Sequence, residues 1–478
     1  MITLLVSILI LIVGYYVYGT ICERIFEIDP DRPTPAYSES DGVDFVPLPR
    51  WKSFLIQFLN IAGLGPIFGA VAGAMWGPVA FLWIVLGCLI AGGVHDYFSG
   101  MLLVRNSGKS FTEISGMYLG NQVQFVLRIL TFVLLIMVGT VFFVGPANIL
   151  YGMIGSEIIT VGIISGLILF YYFISTVLPI DKIIGKLYPV FGVVFLFMSV
   201  SIFAAIFYYN LPVAELSMEV FTNQHSNPDK FPVFPMLFVT IACGAVSGFH
   251  ATQSPIIARC IKNEREGKSV FFGTMATEGV VALIWAAVSM SFFGGIRELN
   301  VFMDDNGGNA ALVVNKICND LLGPIGGVIA LIGVVVAPIT SGDTAFRSAR
   351  MLIADIFKID QKNLKKRAIL SLVIFVIAFF ISKTDFGVIW RYFAFTNQTL
   401  ATFVLWTIAV YLMRRNKWYW LALLPAMFMT MVVVSYILLA PEGFALAQPI
   451  SYGTAGVVTA VLTFLFFKHR SDYRIVNR

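Results

Sequence analysis

QFLNIAGLGPIFGAVAGAMWGP (residues 57–78) and IACGAVSGFHATQSPIIARC (residues 241–260) are apolar runs of membrane-crossing length, each interrupted by glycines and then a proline. Gly63, Leu64 and Gly65 precede Pro66; Gly244, Ser247 and Gly248 lead through Thr252 and Ser254 to Pro255. Glycine admits backbone angles that a helix cannot hold, and an interior proline removes a hydrogen bond and crowds the preceding turn. Both runs are therefore expected to be broken helices that restart near the bilayer middle, the second with Ser254 as N-cap and Pro255 at the first helical position. An ordinary proline kink is the competing reading for either stretch alone. Unwound backbone at that depth is tolerated only where protein or water meets its polar groups, and paired interrupted spans point to a carrier's binding site.

The surrounding chain fits this reading. Of 478 residues 58% are hydrophobic and 12% charged, against roughly a quarter charged in soluble domains, so a polytopic all-α membrane protein is expected. The uncharged first 22 residues read as a retained span rather than a cleaved leader. Five cysteines, at 22, 88, 243, 260 and 318, form no CxxC pair and read as packing residues, with no disulfide framework or zinc site. Apolar runs long enough for a core of about 30 Å fall near 2–22, 53–75, 77–104, 124–147, 157–178, 188–209, 233–258, 268–294, 323–345, 367–382, 387–411, 417–438 and 451–467. This predicts thirteen spans.

The positive-inside rule tests the count. With the N-terminus outside and the C-terminus cytoplasmic, 26 of the 32 Lys and Arg fall in inner loops and four, Lys230, Arg297, Lys316 and Lys383, in outer ones. One missed helix would flip every later loop and destroy the asymmetry. The polar segments 23–52, 210–232 and 295–322 are each too short for an independent domain.

Pro66 and Pro255 are 189 residues apart, and the same shift lays the third span on the eighth. Spans 2–6 and 7–11 thus form two sets of five, and because five is odd the second set runs in the opposite sense, an inverted five-plus-five repeat. The expected organisation is an N-terminal extra helix and cytoplasmic loop (1–52), a first repeat (53–210), a second (233–412), and two C-terminal extra helices with a cytoplasmic tail (417–478). The restarted half-helices would aim free amides and positive dipole ends at a central cavity, where an anionic group is the natural occupant.

GLGPIFGAVAGAMWGPVAFLWIVLGCLIAGGVHDYFSGML, CGAVSGFHATQS, SGDTAFRSAR and WRYFAFTNQTLA, spread over residues 51–411, resemble the carbon starvation protein A family. The resemblance implies a bacterial inner-membrane carrier for peptides or, in some members, pyruvate, with the leucine-transporter-like fold of the amino acid, polyamine and organocation superfamily. Longer family members have extra C-terminal spans.

Substrate contact is expected around the breaks, at Asn60, Gly63, Gly65, Ser247, Gly248, Phe249, His250 and Gln253. His250 and its polar neighbours supply donors there and Phe249 an apolar wall. Asp96, beside His95, lies deep in the third span, where an ionised group costs about 2.5–3.5 kcal/mol. It reads as the coupling-proton site, as part of a cation site, or as a structural hydrogen-bond acceptor, and Glu278 invites the same reading. Thr340, Ser341 and Asp343 end the ninth span; the fold that the resemblance implies often offers Na+ two hydroxyls at this place, with carbonyls of the first broken helix completing an oxygen cage, while an i,i+4 pair with Arg347 explains Asp343 equally well. Arg391, followed by Asn397 and Gln398, either pairs a substrate carboxylate or snorkels to the outer surface.

The leading expectation is a secondary carrier, not an enzyme, with H+ or Na+ as coupling ion and no other cofactor. Its partners are a small-molecule substrate and the lipid bilayer, with no nucleic acid. An intramembrane hydrolase using Ser247 and His250, lacking HExxH or GxSxG, and a passive channel, which needs no paired hinges, are the alternatives.

Overall fold

A computed structural model describes residues 1–41, 45–154, 158–177, 184–217, 222–359 and 363–476. Among the described residues all regular structure is helical. Nine helices among the described residues are long and apolar enough to cross a membrane: Ile2–Phe26, Val79–Arg105, Asn121–Ile154, Pro189–Tyr208, Glu264–Phe292, Gly326–Ala354, Phe386–Arg414, Trp420–Leu439 and Gln448–Arg470. A tenth crossing is the pair Arg50–Ala62 and Gly65–Trp76, bent by 52°. The chain is a multi-pass membrane protein. The other three expected spans carry shorter or interrupted helices: Val161–Ser175, Val233–Leu237 continuing to Thr240 with Gly248–Ala258 after a break, and Leu364–Ile381. Of the loop expected between the fifth and sixth spans, residues 179–183, with Lys182, lie outside the described residues, and 184–187 already belong to the helix Ile184–Tyr208.

The first and last helices are largely exposed, as lipid-facing helices are, whereas 79–105, 264–292 and 386–414 are largely buried. The bend in span 2 falls where Gly63 takes φ +48°, and Pro66 enters the first turn of the restarted helix, where its missing amide costs nothing. In span 7 the restart comes earlier than the sequence suggests. The helix begins at Gly248 with extended Ser247 (φ −144°, ψ 120°) as N-cap, and Pro255 lies inside it. Ser254 is therefore not the cap; its hydroxyl donates to the His250 carbonyl one turn back (2.9 Å).

Several segments expected on the inside meet one another. Arg105, at the end of span 3, bonds Glu264 of the 7–8 loop, and Lys417, after span 11, bonds the Phe26 carbonyl at the end of span 1. So do segments expected outside, where Asn300 bonds the carbonyls of Met75 and Gln224. That outer segment also holds a short amphipathic helix, Ile296–Asp305, which the sequence reading leaves as loop.

Candidate functional site

The two breaks touch. A Cβ on Gly65 would stand 2.2 Å from the Cys243 Cβ, and one on Gly248 would stand 2.6 Å from the Asn397 carbonyl oxygen and the Ala401 amide. Only glycine permits such approach, so the restart of span 7 is wedged between span 2 and the Phe386–Arg414 helix.

Breaking a helix leaves its first amides without partners. The amide of Phe249 does not stay free as expected. Asn397 places its Oδ1 2.7 Å from that nitrogen and also accepts the Ser247 hydroxyl at 3.1 Å. Its Nδ2 meets the Cys243 sulfur at 3.5 Å. Gln398 donates to the Phe238 carbonyl at 3.1 Å, so both amides following Arg391 fasten span 11 to the broken seventh span. The Phe249 ring stands edge-on to Phe142, centroids 6.0 Å apart.

One turn into the restarted helix lies the polar centre. His250 Nδ1 is 2.7 Å from Asp96 Oδ2, and His95 Nδ1 is 2.7 Å from Asp96 Oδ1. On its other face His250 Nε2 is 3.3 Å from Glu278 Oε2. All four side chains are fully buried. Each oxygen of Asp96 thus takes one imidazole N–H, which fixes Nδ1 as the protonated nitrogen of both rings in their neutral form. His250 Nε2 then faces a carboxyl with no hydrogen between them unless one proton is supplied, carried by either His250 or Glu278. Three of the atoms concerned, His250 Nε2 and both Glu278 oxygens, have no hydrogen-bond partner among the described residues. The arrangement has room for one shared proton between His250 and Glu278, where spans 7 and 8 meet span 3.

A second polar group lines the seam from span 2 to span 7. Ser53, Gln57 and Asn60 recur at helical spacing on one face. Gln57 donates to Ser254 at 3.0 Å, while Ser53 Oγ, Gln57 Oε1, both ends of Asn60 and Gln253 Oε1 are buried without a partner among the described residues. Gln253 donates its other end to Thr252. Each unmet group costs about 1–3 kcal/mol.

Other expected residues lie elsewhere. Ser341 donates to the Leu59 carbonyl at 3.0 Å, joining the ninth span to the first broken helix, but Thr340 and Ser341 both also donate to the Ala337 carbonyl. Both hydroxyls keep their oxygen lone pairs while they donate, so these bonds do not themselves exclude a cation. Asp343 accepts the Ser175 hydroxyl at 2.7 Å and lies 4.0 Å from Arg347. Arg391 is 38% exposed and pairs with Glu442 at 3.0 Å, so it does not join the buried group. Cys243, read from the sequence as inert, touches Gly65, Ser247 and Asn397. Cys243, His250 and Glu278 present ligand atoms within 4.8 Å of one another; three mixed donors are one short of a closed tetrahedral site.

The sequence profile described as CstA: Carbon starvation protein CstA matches residues 1–202, 161–321 and 307–436. The chain belongs to the CstA family. An uncharacterized membrane protein of Haemophilus influenzae is 40% identical, the match covering 61% of this chain and 91% of that one. The peptide transporter CstA of Bacillus subtilis is 26% identical over 96% of this chain and 94% of its own. The pyruvate/proton symporter BtsT of Escherichia coli is 27% identical over 58% of this chain and 47% of its own. Among solved structures, MhsT in complex with L-phenylalanine superposes with a TM-score of 0.56 over 86% of this chain and 98% of its own. The Eremococcus coleocola manganese transporter in complex with an aromatic bis-isothiourea substituted compound superposes with 0.54 over 91% and 98%. Both are 12% identical, so the likeness is one of fold.

Proposed function

We propose that this CstA-family chain is a secondary active transporter of the bacterial inner membrane that imports a short peptide or a small carboxylate such as pyruvate together with a proton. It crosses thirteen times, N-terminus outside, with spans 2–6 and 7–11 as inverted repeats. The observation that carries the reading is Asp96 bridging His95 and His250, with Glu278 on the far nitrogen of His250. Two imidazoles suit a proton and not Na+, which prefers an all-oxygen cage of the kind described for hard cations. The cluster joins span 3 and span 8 to the restarted half of span 7, so gaining or losing its proton changes the contacts between elements that alternation must move. The names of the peptide and pyruvate/proton relatives agree with this chemistry.

Substrate is assigned to the seam of Ser53, Gln57, Asn60 and Gln253 and to the breaks at Gly63, Gly65, Ser247, Gly248, Phe249 and His250. The supporting observation is the set of buried, unpartnered amide and hydroxyl atoms, which a polar solute would meet once the helices part. A hydrolase reading finds no support in the geometry, because Ser247 donates to Asn397 and His250 Nε2, the nitrogen that would have to take the serine proton, faces Glu278 instead. A passive channel is disfavoured by the direct contact of Gly65 with Cys243.

Counterflow and net uptake of pyruvate and of di- to tetrapeptides in proteoliposomes, under separately imposed proton and sodium gradients, test the reading. Uptake driven by an inward proton gradient is expected. Uptake that follows sodium alone would reject the coupling assignment.

A further inference from the structure

At the basic end, Asp29, Pro30, Thr34 and Leu48, which belong to neither expected repeat, are laced to the loop between spans 7 and 8. Glu264 of that loop is fully buried and accepts a fork from Arg105, Nε at 2.9 Å and Nη2 at 2.8 Å, together with the Asp29 amide at 2.7 Å. Asn263 donates to the Pro30 carbonyl (2.7 Å), Thr34 to the Ile261 carbonyl (2.6 Å), and the Leu48 amide to the Cys260 carbonyl (2.9 Å). Arg105 also lies 4.0 Å over the Phe26 ring and donates to the Glu27 carbonyl at 2.7 Å.

Beside this lacing is a cavity of about 510 Å³ whose charged walls are Glu27, Asp29, Arg32, Arg105, Arg415 and Lys417. Four cations face two carboxylates. Arg105 is committed to Glu264, Lys417 to Glu27 at 3.0 Å, and Arg32 to Asp29 at 3.7 Å. Arg415 pairs with no carboxylate among the described residues. Leu102, Asn106, Tyr118 and Tyr411 complete the wall. The volume is that of a small-molecule site. Guanidinium forks match phosphate oxygens, and basic pockets between membrane helices receive phosphate head groups.

We propose that this cavity binds a phosphate-bearing anion and that occupancy holds the laced end of the protein closed. The walls come from the segment after span 1, the end of span 3, the Phe111–Leu119 helix and the end of span 11. An anion touching all of them binds only while they converge, so it stabilises that arrangement by its own binding free energy. A free phosphate and a phospholipid head group offer the same chemistry.

The test is thermal unfolding of the purified full chain. In detergent, sodium phosphate is titrated against sodium chloride of matched ionic strength, which removes simple screening; a second arm uses nanodiscs of phosphatidylcholine with and without phosphatidylglycerol. The expected result is a saturable rise in Tm with phosphate that is lost in Arg415→Gln and in Arg415→Gln/Lys417→Gln. The single variant leaves the Lys417–Glu27 pair intact and guards against misfolding of the double one. A rise seen only with phosphatidylglycerol and lost in both variants identifies the head group as the occupant and supports the proposal. No rise in either arm, or an equal rise in Arg415→Gln, overturns it.

Discussion

Asp96→Asn is the substitution on which the coupling argument bears hardest. Asp96 accepts two imidazole N–H groups at 2.7 Å, one on each oxygen. Asparagine keeps the shape but presents an NH₂ to one of those N–H donors, so one ring must shift its proton to the other nitrogen. Losing a buried charged hydrogen bond costs about 1.5–3 kcal/mol, which lowers Tm without unfolding a chain of this size. The functional effect is larger. One proton crossing with a zwitterionic peptide carries one net charge, worth about 2.3 kcal/mol per 100 mV, plus about 1.4 kcal/mol per pH unit, together roughly 500-fold accumulation. The same proton with a monoanion such as pyruvate moves no net charge, leaving the pH term alone, roughly tenfold. In proteoliposomes at 100 mV and one pH unit, the parent should approach these ceilings and Asp96→Asn should equilibrate substrate without concentrating it, while retaining exchange. An Asp96→Asn protein that concentrates a dipeptide as well as the parent would refute the reasoning and make Asp96 structural.

Further outcomes follow from the same geometry. Gly65→Val and Gly248→Val should express but lose uptake, since their Cβ atoms would lie 2.2 Å from Cys243 and 2.6 Å from Asn397; radiolabelled uptake at parental rates in both would exclude the crossing of the breaks as the site. Arg391→Gln should change uptake by no more than about fivefold, because a partly exposed pair with Glu442 is worth about 0–1 kcal/mol, and a complete loss would return Arg391 to the substrate site. His225, its ring tilted against Trp76 with centroids 4.6 Å apart, is pushed down to about 4 by burial, against the pull of Asp304. Its unfolded form binds a proton below about 6.5 while the folded form stays neutral, so stability should fall as pH drops from about 6.5 toward 4 and level off below that. Tm against pH measures this, and His225→Gln should flatten the slope.

The sequence made the breaks legible because glycine and proline act locally. It marked Asp96, His95, His250 and Glu278 as polar groups at unfavourable depth. It could not join them, since Asp96 meets His250 across 154 residues and only the packing of spans 3, 7 and 8 brings them together. The misplaced cap has a local cause. Pro255 looked like a helix start, but the close packing of Gly248 on span 11 sets the restart at 248 and leaves the proline inside. Asn397 and Cys243 were harder, because nothing in a span's own sequence says which neighbour will cap its broken end. Glu264 sits in an ordinary charged loop and shows its importance only through the Arg105 fork.

The most direct measurement is of the proton itself. With a pH-sensitive dye inside proteoliposomes and no imposed gradient, adding a dipeptide or pyruvate outside should acidify the lumen in the parent. The signal should vanish in Asp96→Asn and Glu278→Gln while counterflow persists in Asp96→Asn. Substrate entry with no lumenal acidification in the parent, or undiminished acidification in both variants, would contradict the account.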